Sequence, residues 1–365
     1  MSTLPGITRE DVRPRPRPAE QPTGVCAFLG VAGQGPFYRP VALQRAREFT
    51  AEFGDGADGH HSAAVAGFFA CGGSSSYAVR IDPADDDWVA RGLAAVAPLD
   101  DADLVAVPDL ASAPPGRRLD LQRSVLEDCA RDGTRFAVLD ALPGASVDEV
   151  ITARGQLASR FGALYFPWVQ LADGRVVPPS GHVAGVYAAG DARSGAGAAP
   201  ANLELAGVVD LVPAPTAGDL TALFAAGVNP LRSLPGRGIR VWGARTLAGS
   251  DEPEWTEIGV SRLFLSVARW LAADGAALAF EPNDLPLWVR VRRQLTDRLL
   301  GLWRQGALAG ETPEAAFYVK CDAETNPPDV RDAGLLITEI GLAPTVPAEF
   351  VVARLVQQDG RTALP

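Results

Sequence analysis

A chain of 365 residues that is 47% hydrophobic can bury one large core or two ordinary ones, which excludes an intrinsically disordered protein. Its net charge of −11 argues against broad binding to nucleic acid or to an anionic membrane surface, since both demand a net basic face. Four cysteines, Cys26, Cys71, Cys129 and Cys321, stand far apart without a CxxC pair, so neither a zinc site nor a disulfide framework is expected.

Residues 1–22 contain Pro5, Pro14, Pro16, Pro18 and Pro22 and little apolar material, which predicts an extended arm. No uncharged apolar run of about 18 residues occurs, so a soluble chain assembled in the cytoplasm, with no direct membrane insertion, is expected. Order begins with the continuous apolar run Val25–Val31, the pattern of a strand covered on both faces. Helices are predicted over Val41–Phe53 and Ser62–Cys71, followed by the Gly72-Gly73 break and a strand at Tyr77–Ile81. Leu104–Val107, Phe136–Asp140 and Ala163–Phe166 predict further strands, with helices over Gln122–Arg131 and Val147–Phe161 between them. Such alternation indicates a layered α/β sheet. The Gly- and Ala-rich stretch Gly190–Ala201 reads as a surface loop.

From Gly238 onward the pattern changes to a strand at Ile239–Trp242, a helix at Val260–Ala273, a strand at Ala277–Phe280 and a long helix at Leu285–Gln305. Three last strands, Phe317–Cys321, Leu335–Gly341 and Phe350–Val356, alternate with Pro- and Gly-bearing turns, which predicts an α+β domain ending in an edge strand. The expected division is an arm over 1–22, an α/β domain over 23–235 and a C-terminal domain over 236–365.

Several constellations invite a chemical reading. Gly30, Gly33 and Gly35 follow the first strand, but as GxxGxG, and Pro36–Pro40 stands where a helix N-terminus would receive a phosphate. A nucleotide-binding α/β enzyme would rest on this turn; a plain strand-to-loop turn is the simpler reading. His60-His61 reads as an exposed turn before a helix, with His182 at a Gly/Pro-rich turn and no acidic cluster to complete a metal site. Ser74-Ser75-Ser76 lacks a GxSxG elbow. Asp85–Asp87 and Asp100, Asp101 and Asp103 read as solvated caps and turns, and Glu281–Asp284 as an ordinary helix cap. No nucleophile, base and oxyanion partner come together, so no enzyme, cofactor or metal is expected.

Read in order, four stretches resemble the phage tail sheath family, whose members also build the sheaths of contractile injection systems. They are Pro5–Val12; Gly67–Gly73 with Tyr77–Arg80; Tyr165–Trp168 with Val177–Gly185; and a C-terminal series comprising Asn229–Arg232, Gly238–Leu247, Glu281–Asp284, Asn326–Asp329 and Glu349–Val352. Thr8 departs from the family's usual aromatic, and Arg13–Pro18 lies outside its pattern. The resemblance implies a subtilisin-like α/β fold with extended terminal arms and a homo-oligomer of stacked hexameric rings. That helical sheath would surround an inner tube protein, meet baseplate and tail terminator proteins, and contract within a phage tail or phage-tail-like particle. A non-contractile baseplate or adaptor component is the alternative. It also implies that Pro5, Gly6, Ile7, Glu10, Asp11 and Val12 form an intersubunit arm, and that Phe350, Val351, Val352, Arg354, Leu355 and Val356 form the strand completing the linkage.

The long helix adds a charge asymmetry, with Arg290, Arg292, Arg293, Arg298 and Arg304 against Asp297 alone. At about 100° per residue, Trp288, Val291, Leu295, Leu299 and Leu302 share one face while Arg290, Arg293 and Arg304 lie opposite. A solvated basic face is the plain reading; with the family's tube-facing C-terminal domain, these three arginines become candidate tube contacts.

Overall fold

The computed structural model describes residues 21–54, 59–278, 281–345, 351–358 and 361–364. The first half runs β1 (Cys26–Gly30), β2 (Val41–Leu43), α1 (Ala46–Phe53), α2 (His61–Ala70), β3 (Ser76–Arg80), α3 (Trp88–Val96), β4 (Leu104–Ala106), α4 (Pro115–Asp132), β5 (Phe136–Asp140), α5 (Val147–Arg154) and β6 (Gly162–Phe166). Next come β7 (Trp168–Leu171), β8 (Val176–Val177), α6 (Ser180–Ser194), β9 (Val208–Val212), α7 (Ala217–Ala225), β10 (Asn229–Leu234) and β11 (Gly238–Val241). The remainder is α8 (Ile258–Leu278), α9 (Leu285–Arg304), α10 (Pro313–Ala316), β12 (Phe317–Lys320), α11 (Pro328–Asp332), β13 (Leu336–Leu342), β14 (Val351–Gln358) and β15 (Arg361–Ala363).

An eight-stranded sheet forms the centre, in the order β11-β10-β6-β5-β4-β1-β3-β2. Its inner pairings are parallel, from β3 through β1, β4, β5 and β6 to β10, and the two rim strands run antiparallel. All five residues of β1 are buried, as are those of β6, because helices cover both faces of a parallel sheet. Alternation along β1 shows how. Phe28 meets Phe68 of α2 edge to face at 5.5 Å, while Leu29 turns to the other side and packs against Gly92 of α3. Two smaller sheets flank this layer, one ordered β8-β7-β9 and one β12-β13-β14-β15.

Helices α2 and α6 pack backbone against backbone. A Cβ at Gly181 would stand 2.3 Å from the Ala64 Cα and carbonyl oxygen, and one at Gly185 would stand 2.3 Å from the Phe68 carbonyl oxygen. Only hydrogen at these positions lets the backbones touch, and the contact seats α6 over β4 and β5.

The structure corrects several expectations. Val41–Leu43 is a rim strand, and the helix begins at Ala46, because Leu43 buries itself beside β3 where a helical start would leave that edge bare. Ala277 and Leu278 continue α8, consistent with an alanine-rich run and its high helix propensity; the rest of the strand expected at Ala277–Phe280 lies outside the described residues. Gly190–Ser194 completes α6 and is not loop. The eight-stranded sheet continues past residue 235, since β11 is its last strand. Phe350–Val356 is not the final strand, because β15 folds back on β14 and pairs with Val356–Gln358. The expected arm, with Pro5, Gly6, Ile7, Glu10, Asp11 and Val12, lies outside the described residues, as does Phe350.

Gly181→Ala should therefore lower unfolding stability by at least about 1–3 kcal/mol, the usual penalty for overpacking a close contact. The same change at Gly144, which nothing approaches within 4 Å but whose φ is +71°, should cost only its backbone strain. Urea midpoints of the two variants check this; equal or smaller loss at Gly181 would mean that α2 and α6 can separate freely.

Candidate functional site

The sequence stretches that carry the family resemblance prove to be structural hubs. Gly67 of α2 faces the His182 ring of α6, where a Cβ would stand 2.5 Å away, and Gly73 lies against the Phe68 ring. Two motifs separated in sequence thus form one interlocked contact. Asn229 donates from Nδ2 to the carbonyls of Leu164 and Arg245 and accepts from the Arg245 N–H, tying β10 to β6 and to the segment after β11. Asn283 accepts from Trp288 Nε1 and donates to the Leu335 carbonyl, and Asn326 exchanges two bonds with the backbone of Ile337. Each of these amides, Asn229 and Asn326 buried and Asn283 half-buried, replaces a ladder partner that loop backbone would otherwise lack.

The groups that a catalytic reading would single out serve as supports. Asp109, buried beside Gly30 and Gly59, accepts from the N–H of Val31 at 2.7 Å and of His60 at 2.5 Å. Burial pushes its carboxyl pKa up, and these backbone donors pull it back. His61, expected in an exposed turn, is fully buried among the rings of Phe49 and Phe53. Burial pulls its pKa down to about 4, against the opposing pull of the Gly30 and Phe28 backbone. His182 is likewise buried with its pKa lowered by desolvation to about 4. Asp140, at the end of β5, accepts the Ser180 N–H at 2.7 Å and so caps α6; burial raises its pKa to about 7 against the pull of Ser180. Among the described residues no group of three His, Cys, Asp or Glu side chains could hold a metal ion.

Sequence reasoning missed the largest charge cluster. Arg262 of α8, only 2% exposed, makes a bidentate pair with Asp191 of α6 at 2.7 and 2.6 Å and reaches Asp103 at 2.9 Å. Asp103 was expected in a solvated turn. Burial pulls against the Arg262 charge, yet Asp191 and Asp103 together hold its pKa above the ordinary value. Removing one member of such a buried set typically costs about 3–5 kcal/mol, because the partner charge is left unpaired.

Among the described residues, β14 and α9 each present a surface to solvent. On the flank of β14 away from β13, Val351–Leu355 has no strand partner among the described residues, while Val356–Gln358 is covered by β15. Val352 is 47% exposed, and Arg354 pairs with Glu339 across the sheet at 3.0 Å. On α9 the buried face comprises Leu287, Trp288, Val291, Leu295 and Leu299, with Leu302 half-buried. Opposite it, Arg293 and Arg304 are exposed, whereas Arg290 is half-buried and paired with Glu281. Of the three candidate tube contacts two are thus open to solvent, while Arg290 is engaged by Glu281, which precedes the Asp284 cap of the helix.

Residues 119–247 match the family model for the phage tail sheath protein central domain. This central part of the chain is thus similar to the phage tail sheath family. The structure of the chain is similar to that of the anti-feeding prophage helical sheath in the contracted state, with 28% identity, a TM-score of 0.77, and coverage of 96% of this chain and 98% of that one. It is similar as well to a chain of the contracted sheath complex of an extracellular contractile injection system, PVC, with 27% identity, a TM-score of 0.76 and 96% coverage of each chain. A sheath tail protein from Desulfitobacterium hafniense shares the fold at 12% identity, with a TM-score of 0.69 over 98% of this chain and all of that one. No curated protein sequence matches. The buried histidines and Asp140 make the fold sensitive to pH in opposite senses. The unfolded chain takes up histidine protons below about pH 6.5 and the folded chain only near 4, so each of His61 and His182 contributes stability that declines as pH falls through that window, by about 1.4 kcal/mol per unit. Asp140 binds its proton more tightly when folded, so its contribution declines as pH rises from about 4 to about 7. Between pH 4.5 and 6.5, His182→Gln should turn the slope of unfolding stability downward relative to wild type, and Asp140→Asn should turn it upward. Urea titrations at several pH values check both, and parallel slopes in all three proteins would contradict the buried ionisations.

Proposed function

We propose that the chain is a structural subunit of a contractile sheath, which polymerises as stacked hexameric rings around an inner tube and shortens to drive the tube through a target envelope. The carrying observation is a likeness to contracted sheath chains that extends over 96% of the sequence and does not stop at the central domain. No catalytic step enters this role: the work comes from a rigid-body passage between a metastable extended lattice and a lower-energy contracted one. The subtilisin-like reading of the large layer is part of the proposal, supported by its parallel strands and by the central place of β1 between β3 and β4. So is a division of labour in which the α/β layer forms the body and β12–β15 receives a neighbour.

Subunits are joined by strand addition. Residues 5–12 of one subunit lie along the open flank of β14 in the next, where Val351, Val352, Arg354 and Leu355 supply main-chain partners. The link is heterologous, so it propagates as a helix and does not close as a dimer. Toward the tube, the exposed Arg293 and Arg304 of α9 face an acidic exterior, in a contact weak and salt-sensitive enough to release on contraction. Baseplate and terminator proteins bound the lattice at its ends.

A chain lacking residues 1–22 should fold and stay soluble but form no tubes in negative-stain micrographs, whereas the full chain forms axially striated ones; tubes of normal length from the truncated chain would contradict arm exchange. Val352→Pro should impair assembly by removing a ladder donor and bending the open flank. Arg293→Glu with Arg304→Glu should leave folding intact and abolish tube-templated assembly at low salt. Unchanged tube binding by that folded variant would return α9 to a solvated face.

A further inference from the structure

The last residues of the arm before β1 are held with unusual thoroughness for a segment at the chain's edge. Asp103 accepts the N–H of Gly24 at 3.0 Å and of Val25 at 2.7 Å, and its own N–H donates to the Val25 carbonyl at 3.1 Å. The Thr23 side chain bonds Asp191. Arg269 of α8 donates to the Pro22 carbonyl at 2.8 Å and to the Asp101 carbonyl at 3.0 Å. Arg262, two turns earlier on the same helix, grips Asp103 and Asp191 together. Gly24 has φ of +76°, and a Cβ there would stand 2.5 Å from the Ala188 Cα, so the arm root also lies flush against α6.

The far portion of α8 is fastened to the small sheet. Gln357 of β14 donates from Nε2 to the Leu271 carbonyl at 3.1 Å in a buried bond, and α8 packs along both β14 and β15. At about 1.5 Å per residue, Arg262 and Leu271 are about 14 Å apart along one stiff helix. We infer that α8 is a tie rod that carries tension from the arm root, through the Arg262 and Arg269 clamp, to the sheet offered to the neighbouring subunit. This rests on the proposed arm exchange for its biological use, but the mechanical coupling is a property of one chain. A pull on the arm loads charge-assisted bonds to α8, α6 and the start of β4 together, before it reaches β1. Force then bypasses the hydrophobic layer, which stays folded while the lattice rearranges.

The test pulls the full-length monomer between handles at its two termini and follows amide exchange of the same chains. Arg262→Gln and Arg269→Met should lower the first rupture force and speed exchange of the Gly24 and Val25 amides by about tenfold or more, as loss of a charge-assisted bond implies, with the β5 and β6 amides unchanged. Arg193→Met, an exposed arginine on α6, should alter neither. Should Arg262→Gln fail to fold, Asp191→Asn withdraws one charge that Arg262 meets and leaves both Asp103 oxygens to the Gly24 and Val25 N–H groups. Unchanged rupture force and exchange in the folded variants, or faster exchange spread evenly over β1, β4, β5 and β6, would overturn the inference. Since both measurements use the monomer, failure of arm exchange would show in assembly and not in them.

Discussion

Backbone contact between α2 and α6 is the constraint from which much of the structure follows. Because Gly67, Gly181 and Gly185 present hydrogen where other residues present carbon, α6 lies close enough to bury His182 and to place Asp191 opposite Arg262. Were the two helices at the ordinary spacing of about 8–10 Å between axes, the Asp191 carboxylate would have to reach its partner across a gap, and the arm root could not lie against Ala188.

The central layer was largely legible because its strands are short, continuous apolar runs between turn residues. Phe136–Asp140 forms over the residues expected, and β1, β3, β4 and β6 lie within a residue or two of theirs, whereas no strand was expected where β10 forms. Failures occurred where local pattern serves either structure. Val41–Leu43 fits a helical stripe as well as a rim strand, and only the neighbouring β3 decides the matter. His61 looked exposed because two histidines beside glycine resemble a turn, whereas Phe49 and Phe53 from the preceding helix close over it.

The charge cluster was illegible for a different reason. Arg262 lies 71 residues from Asp191 and 159 from Asp103, and nothing in the spacing of these residues marks them as partners. One signal was available. Arg262 and Arg269 interrupt an otherwise apolar helical stretch at seven-residue spacing, which places two charges on a single face that the rest of the helix requires to be buried. On α9 the sequence pattern of buried and charged faces held, but a helical wheel carries no information about the cap, so the pairing of Arg290 with Glu281 could not be read from it.

The open flank of β14 is short. Five residues at about 3.4 Å each offer a docking length of roughly 17 Å, enough for only a few main-chain hydrogen bonds in a sheet ladder. If the proposed strand exchange uses this flank, a single seam of that size would dissociate readily, and a subunit docked out of register would be shed before the next ring traps it. Cohesion would then belong to the ring and not to the seam, so that a growing lattice would proofread itself through the weakness of its individual joints.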